Sequence, residues 1–316
     1  MCYIFSSFSK DKFGYVKDLI GKCDYTYFLI GGAGNGKSTI LRKIGEFFSE
    51  KKVDYLYCSY DVSSLDGLLI NDKILVFDSS YPHNLLPTLH KVDGEIVDIA
   101  GSIDGGIIAE KAKLNELYDE ESYWKNLFQS YGETLSEFIN AEVELIEKTN
   151  CCRLKKQIDI FVNSVKLFDN DGIIADAYHK QEYFGNKKKY SFCHSNKTLA
   201  ELALNEAATR LDKKNISMTK YHNVYCDKLI EGIETKNAYL GVNLLDAEQI
   251  DICENCEEDE FDWCDIMQKI RRCQTEAVAM HKRLERCYKP YIDFDINRKI
   301  VENLIDKIDL KLNKKT

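Results

Sequence analysis

Apolar and polar positions change period several times along this chain, and the changes divide it into elements. Residues 25–30 (YTYFLI) form a continuous apolar run ending at Gly31, which predicts a buried strand. Residues 38–50 then place Ile40, Leu41, Ile44 and Phe48 at helical spacing. Residues 53–58 and 73–78 (KILVFD) read as further strands. This alternation predicts βαβ units and a mainly parallel sheet. From 122 to 148 the period turns helical through Leu127, Phe128, Tyr131, Leu135, Phe138, Ile139, Val143 and Ile146, a helix about 40 Å long. A second helix is expected over 152–168, so that 110–170 forms a helical hairpin projecting from the sheet. Residues 188–193 return to strand and 198–212 to helix. Ile266, Ile270, Cys273, Ala277, Met280, Leu284 and Cys287 make a heptad-like stripe, and Ile296 to Leu312 a last helix after Pro290.

The order sheet, hairpin, sheet, hairpin predicts an α/β protein with a P-loop NTPase type of parallel sheet, long helical hairpins and an internal duplication. The halves fall at 1–187 and 188–316. LDGLLINDKILVFD, with Gly67 eleven positions before Asp78, aligns without gaps to IEGIETKNAYLGVN, with Gly232 eleven before Asn243. Further upstream, after an allowance for a few inserted residues, Lys197-Thr198 falls where Lys37-Ser38 stands in the first half. A length of 316 residues accommodates two such halves.

Composition narrows the classes. Apolar residues at 44% and charged residues at 30% describe a globular chain. The net charge of −9 opposes broad nucleic-acid binding, which depends on Lys and Arg neutralising phosphates. The start lacks a signal-peptide pattern and no apolar run is long enough for a membrane span, so a cytoplasmic protein with reduced thiols among its twelve cysteines is expected. Cys253 and Cys256, with Cys264 and Cys273 downstream, resemble a zinc set. The second pair is nine apart and Cys273 lies on the buried stripe, so no zinc site is expected there. Cys151-Cys152 reads as a helix start, and His281 as a partly buried helix residue.

The chemistry concentrates in Gly31-Gly32-Ala33-Gly34-Asn35-Gly36-Lys37-Ser38, a complete G-x-x-x-x-G-K-[ST] match between a strand and a helix. Glycines let successive backbone N–H groups turn toward phosphate oxygens, and the helix adds its free donors and dipole. Lys37 supplies charge to the β- and γ-phosphates, Ser38 a hydroxyl to Mg²⁺, and Thr39 reaches the α-phosphate. Asp78, at the carboxyl end of ILVFD, is the second magnesium residue. Ser79 follows it, so the carboxylate that commonly activates water is absent from that spot. Three nearby residues are candidates for the catalytic step: Asp61 and Asp66 in CSYDVSSLDG, expected in a loop, and His83 in SSYPHNLLP. Loop or turn capping is the competing role for both aspartates, and a backbone-bonded loop histidine for His83. The second half has HSNKT in place of the glycine-rich loop and Asn243 in place of Asp78, and is expected not to bind nucleotide.

Cys58, Ser59, Asp61, Ser64, Leu65, Asp66, Gly67, Pro82 and His83, with the loop before them, resemble a family of poorly characterised bacterial ATPases built from two tandem P-loop halves. The resemblance covers about residues 25–100. The chain departs from the family in its second loop and in Leu86, where an acidic residue stands before the proline. It implies binding of ATP or another NTP with Mg²⁺. The function expected is ATP hydrolysis coupled to movement of the hairpins, with protein partners on those hairpins. A small-molecule or nucleotide kinase and a non-hydrolysing nucleotide switch are the alternatives. A kinase predicts an arginine-rich lid, yet only 8 arginines occur and Arg271-Arg272 is the one adjacent pair.

Overall fold

A computed structural model describes residues 2–5, 14–58, 61, 63–80, 83–148, 152–164, 175–178, 187–252 and 263–313. Its elements run β1 (Cys2–Phe5), α1 (Gly14–Lys22), β2 (Tyr25–Ile30), α2 (Lys37–Phe47), β3 (Val53–Cys58), β4 (Leu65–Ile70), β5 (Ile74–Asp78), β6 (Gly94–Asp98), α3 (Lys111–Lys148), α4 (Cys152–Ser164), β7 (Ala175–Tyr178), β8 (Lys188–Cys193), α5 (Lys197–Lys213), β9 (Thr219–Asn223), β10 (Cys226–Glu234), β11 (Ala238–Val242), β12 (Glu248–Asp251), α6 (Trp263–Tyr288) and α7 (Phe294–Asn313). The strands form two six-stranded sheets. One compact unit holds the first sheet with residues 11–130 and 267–316, and the other holds residues 131–266. This division cuts across the consecutive halves 1–187 and 188–316, because the C-terminal helix pair belongs with the first sheet. No helix among the described residues is long and apolar enough to cross a membrane.

The first sheet has the order β1-β3-β4-β5-β2-β6. The expected parallel sheet is corrected here: β4 runs antiparallel to both β3 and β5, and the other pairings are parallel. The cause is local. Asn71 and Asp72, between β4 and β5, both have positive φ, at 52° and 56°. Two consecutive left-handed residues make the tight turn that suits a hairpin, so the chain reverses instead of crossing over. Residues 65–70 are therefore a fully buried strand. Asp66 is not in a loop, as its sequence surroundings suggested. It is the extra residue of a β-bulge: Leu56 faces Gly67 and Tyr57 faces Leu65, leaving Asp66 between them.

The second sheet repeats this plan. Its order β7-β9-β10-β11-β8-β12 matches the first strand for strand, and every neighbouring pair has the same sense. Each sheet carries one helix between corresponding strands, α2 in the first and α5 in the second. The bulge recurs as well, with Glu231 between the pairs Ile230–His222 and Gly232–Tyr221. Register corrects the gap-free alignment of Asp78 with Asn243. Asp78 faces Leu29, whereas Val242 faces Phe192. The hydrogen bonds Ile99 N to Ile30 O and Ile252 N to Cys193 O fix Leu29 and Phe192 as equivalents. The counterpart of Asp78 is thus Val242, because the turn between β10 and β11 is one residue tighter at its pairing positions: Ile70 faces Ile74, and Gly232–Gly241 pairing places Thr235 against Ala238.

Helices cover the sheets by amphipathic faces. In the first unit Ile40, Leu41, Ile44 and Phe48 pack with Val301, Leu304 and Ile308 of α7 on the apolar face of β2, β4 and β5. The C-terminal helices were expected to form a hairpin on the second half. Instead α7 lies on the first sheet, and α6 sets Met280 and Leu284 against Leu117 of α3. The stripe on α6 is buried from Ile266 to Leu284, as its spacing predicted. In the second unit Ile158, Phe161 and Val162 of α4 pack on α5 and on Tyr190 and Phe192. The projecting hairpin expected over 110–170 is therefore not what forms, since α4 is laid against α5. α4 opens at Cys152 as expected, while Cys151 and residues 165–168 lie outside the described residues.

Ile308 is fully buried against the first sheet, whereas Leu310 of the same helix is largely exposed. Ile308→Ala is expected to destabilise the first unit by about 2–4 kcal/mol through lost burial and a residual cavity. Leu310→Ala should change stability by about 0.5 kcal/mol or less. Urea unfolding followed by circular dichroism measures both.

Candidate functional site

β2 ends at Ile30 and α2 begins at Lys37, so the loop 31–36 opens directly onto a helix N-terminus. Gly34 and Gly36 have φ of 76° and 81°, a region that L side chains avoid. Gly34 has a second reason to lack a side chain: a Cβ there would lie 2.9 Å from Glu285 Cα on α6. No side chain caps α2 at Gly36. Its first-turn N–H groups are orphan donors at the positive end of the helix dipole. Asn35 is buried, and neither of its side-chain amide atoms has a hydrogen-bond partner. Its carbonyl accepts from Asn297 Nδ2 at 3.2 Å, tying the loop to α7.

Lys37 folds over the loop. Its ammonium donates to Gly31 O and Gly32 O, both at 2.8 Å, and lies 3.7 Å from Asp78 Oδ2. Asp78 is aimed by its neighbour, because Oδ1 accepts from Ser80 N at 2.9 Å. Ser80 Oγ in turn donates to Gly31 O at 2.7 Å and accepts from Gly31 N at 3.1 Å. Ser38 Oγ accepts from Leu65 N at 3.0 Å, which joins α2 to β4. Ser38 and Asp78 are thus brought to the same corner, one from each of two adjacent elements. Among the described residues no three His, Cys, Asp or Glu side chains converge as a metal cage. The Cys253–Cys256 segment lies outside the described residues, and Cys273 is a buried free thiol on α6.

The bulge at Asp66 sends its carboxylate to His83, with Oδ2 3.4 Å from Nε2 and both side chains mostly buried. Burial pulls the imidazole toward neutrality. The hydrogen bond and charge of Asp66, supported by Asp78, outweigh that and raise the His83 pKa above its ordinary 6.5. Asp61 has the capping role. Its Oδ1 accepts from Ser63 N at 2.9 Å and Ser63 Oγ at 2.6 Å, which closes the turn after β3.

Two helices roof the loop within the same unit. Glu121 of α3 is almost fully buried and accepts from His281 Nδ1 of α6 at 2.8 Å and Lys125 Nζ at 2.7 Å. Burial disfavours its charge, but these two partners hold its carboxyl below the usual range. His281 Nε2 is also 3.7 Å from Glu285. Loop and roof enclose a cavity of about 440 Å³. Gly31 to Thr39, Asp61, Asp66, Asp78 and His83 all line it, so every site residue expected from sequence faces one space. Lys125, Glu121, His281, Glu285 and Ser80 line it too. Of these the sequence pointed only to His281, as a partly buried helix residue; the others lie on long amphipathic helices or beside a stronger motif, and a Glu–Lys pair at i, i+4 reads as ordinary helix support.

The corresponding corner of the second unit is closed by its own side chains. Only His194, Ser195 and Asn196 separate β8 from α5, half the length of 31–36. Asn196 Oδ1 caps the helix by accepting from Leu199 N at 2.8 Å. Glu142 accepts from Asn196 Nδ2 and, at 2.6 Å, from Thr198 Oγ1. Lys197, the counterpart of Lys37, lies 3.1 Å from Glu201 and 4.0 Å from Glu231. Burial opposes the lysine's charge, yet the two carboxylates keep its pKa raised. Burial likewise lifts Glu231 to about 7.

No family model, no curated protein sequence and no solved structure matches the chain.

The Asp66–His83 pair gives a signed expectation. A folded pKa above 6.5 means that the pair's stabilisation is complete below about pH 6.5, where the unfolded imidazole is already charged, and is lost as pH rises through the folded value. NMR titration should place His83 above 6.5 in the wild type and lower in Asp66→Asn. The stability difference between the two proteins should be larger at pH 6 than at pH 9.

Proposed function

We propose that this chain is a magnesium-dependent ATP-binding P-loop NTPase that hydrolyses its nucleotide at the first sheet, and that its two sheets arose by internal duplication. The observation that carries the reading is the loop 31–36. It combines left-handed glycines, an uncapped helix N-terminus and a lysine resting on loop carbonyls in one cavity with Asp78. A triphosphate supplies oxygens that accept from Lys37 and from the orphan N–H groups of α2, in place of the Gly31 and Gly32 carbonyls and water. The donor set suits Mg²⁺, which keeps most of its ligands as water and phosphate. Ser38 would hold it directly and Asp78 through water, and when bound it neutralises the charge that develops on the phosphates.

The chain's own residues account for the rest of the reaction. Asp66, aimed by the bulge and backed by His83, accepts a proton from the attacking water in the role that a carboxylate after Asp78 fills elsewhere. Asp61 holds the turn in which Ser63 and Ser64 lie. The roof of α3 and α6 covers one side of the cavity. The resemblance to tandem P-loop ATPases agrees with this assignment, and the matched order of the two sheets favours duplication. The second site does not take nucleotide: its loop is short, its helix is capped by Asn196, and Val242 stands where Asp78 does. No arginine lines the first cavity among the described residues, which favours hydrolysis over the arginine-lidded kinase alternative.

Phosphate release from Mg-ATP tests this reading. Lys37→Ala is expected to abolish binding and turnover. Asp66→Asn should lower kcat by about a hundredfold or more with ATP affinity retained. Wild-type turnover no higher than that of the Lys37→Ala protein would overturn the hydrolytic assignment.

A further inference from the structure

We propose that Lys125 of α3 is the second cation of the phosphate site, placed by buried Glu121 to contact the terminal phosphoryl group and so to distinguish a triphosphate from a diphosphate. This inference rests on the nucleotide reading above and adds to it a residue that no part of the loop motif contains. Phosphoryl transfer spreads negative charge over the terminal phosphate oxygens, and a protein cation positioned there lowers the barrier. Lys37 comes from the loop side. The cavity has no arginine among the described residues, so the opposite cation must come from the roof.

Lys125 is the roof residue built for it. Its ammonium is held 2.7 Å from Glu121 Oε1, and Glu121 is itself fixed by His281 at 2.8 Å. A lysine on a solvated helix face spends side-chain entropy to meet its ligand; one already oriented on a buried carboxylate has lost most of that freedom. Lys125 shares the cavity with Gly31 to Thr39 and with His83, on which its charge opposes the raising effect of Asp66 and Asp78. The cation therefore stands within electrostatic reach of the corner that holds Asp66, Asp78 and Lys37. Lys289 also lines the cavity but is exposed, and among the described residues no buried carboxylate pairs with it. Glu121 is a positioning residue: it acts through Lys125 and is held away from solvent.

Equilibrium binding of Mg-ATP and Mg-ADP to the full chain reads the proposal without depending on turnover. The wild type should bind ATP more tightly than ADP. Lys125→Met, which keeps the apolar stem, should reduce that preference by about tenfold, the scale of one charge-assisted hydrogen bond. Lys125→Gln should do the same, and Lys125→Arg should restore much of it. Glu121→Gln should move the ratio in the same direction with less loss. Circular dichroism and thermal unfolding identify a variant that has not folded, in which case the other Lys125 substitution decides. An ATP-to-ADP ratio within twofold of wild type in folded Lys125→Met or Lys125→Gln overturns the role of Lys125 and leaves the nucleotide reading standing. A wild-type protein that binds neither nucleotide overturns the nucleotide reading itself, and Lys125 falls with it.

Discussion

The backbone of Gly34 lies so close to α6 that a single added carbon would meet Glu285 Cα at 2.9 Å. That approach, together with the Asn297-to-Asn35 hydrogen bond from α7, pins the loop between two helices near the other end of the chain, the hydrogen-bonded pair being 262 positions apart. Much of the first unit follows from it. Because α7 must reach Asn35, its apolar face falls on α2 and the sheet, and Val301, Leu304 and Ile308 complete the core around Leu41 and Ile44. Because α6 must reach Gly34, Met280 and Leu284 meet Leu117, and the pair Glu121–His281 forms above the cavity. The C-terminal helices are therefore part of the site.

Electrostatics gives the loop two settings. Lys37 rests on the carbonyls of Gly31 and Gly32, which are neutral acceptors, with Asp78 at a longer distance. An anionic oxygen makes a stronger partner for an ammonium than a carbonyl does. The carbonyls thus hold the lysine in place, and under the proposed function an anionic phosphate oxygen would displace them. Ser80 reinforces this setting from below, bridging Gly31 and orienting Asp78 at once. A residue two positions after Asp78 contributes as much to the loop's shape as the glycines that make it recognisable.

The chain announces the loop and the first strands plainly, because both depend on short-range rules: consecutive apolar residues for β2 and β5, and a fixed glycine spacing for 31–38. The buried stripe of α6 is legible for the same reason. Misreadings arise where the deciding contact is local but unfamiliar, or distant. Asn71-Asp72 reverses the chain with two positive φ values, so Leu65–Ile70, which the sequence did not mark as a strand, pairs antiparallel with both neighbours. The bulge at Asp66 depends on pairing with β3, and a residue count cannot show it. Placement of α6 against α3 and of α7 on the first sheet is set by tertiary contacts that have no trace in helical period. Lys125 and Glu121 are missing from the sequence reading, and His281 entered it only as a partly buried helix residue; their grouping depends on two helices 160 positions apart meeting face to face.

The two sheets share order, sense and even the acidic bulge, and they differ in how each neutralises the start of its helix. In the first unit Gly36 leaves the donors of α2 uncapped and Lys37 rests on carbonyls, so both the helix donors and the lysine stay open to an acceptor. In the second, Asn196 caps α5, Glu142 takes the hydroxyl of Thr198, and Glu201 with Glu231 surrounds Lys197. The bulge acid illustrates the difference well. Asp66 pairs with an imidazole at the cavity wall, where it can exchange a proton, whereas Glu231 turns inward to the lysine that would otherwise attract an anion. Carboxylates of the chain thus complete in the second unit the charge pattern that, under the proposed function, a phosphate would complete in the first. Restoring an anion site there would require removing Glu142 and Glu201 as well as lengthening the loop, since buried carboxylates at a helix N-terminus exclude a further negative charge.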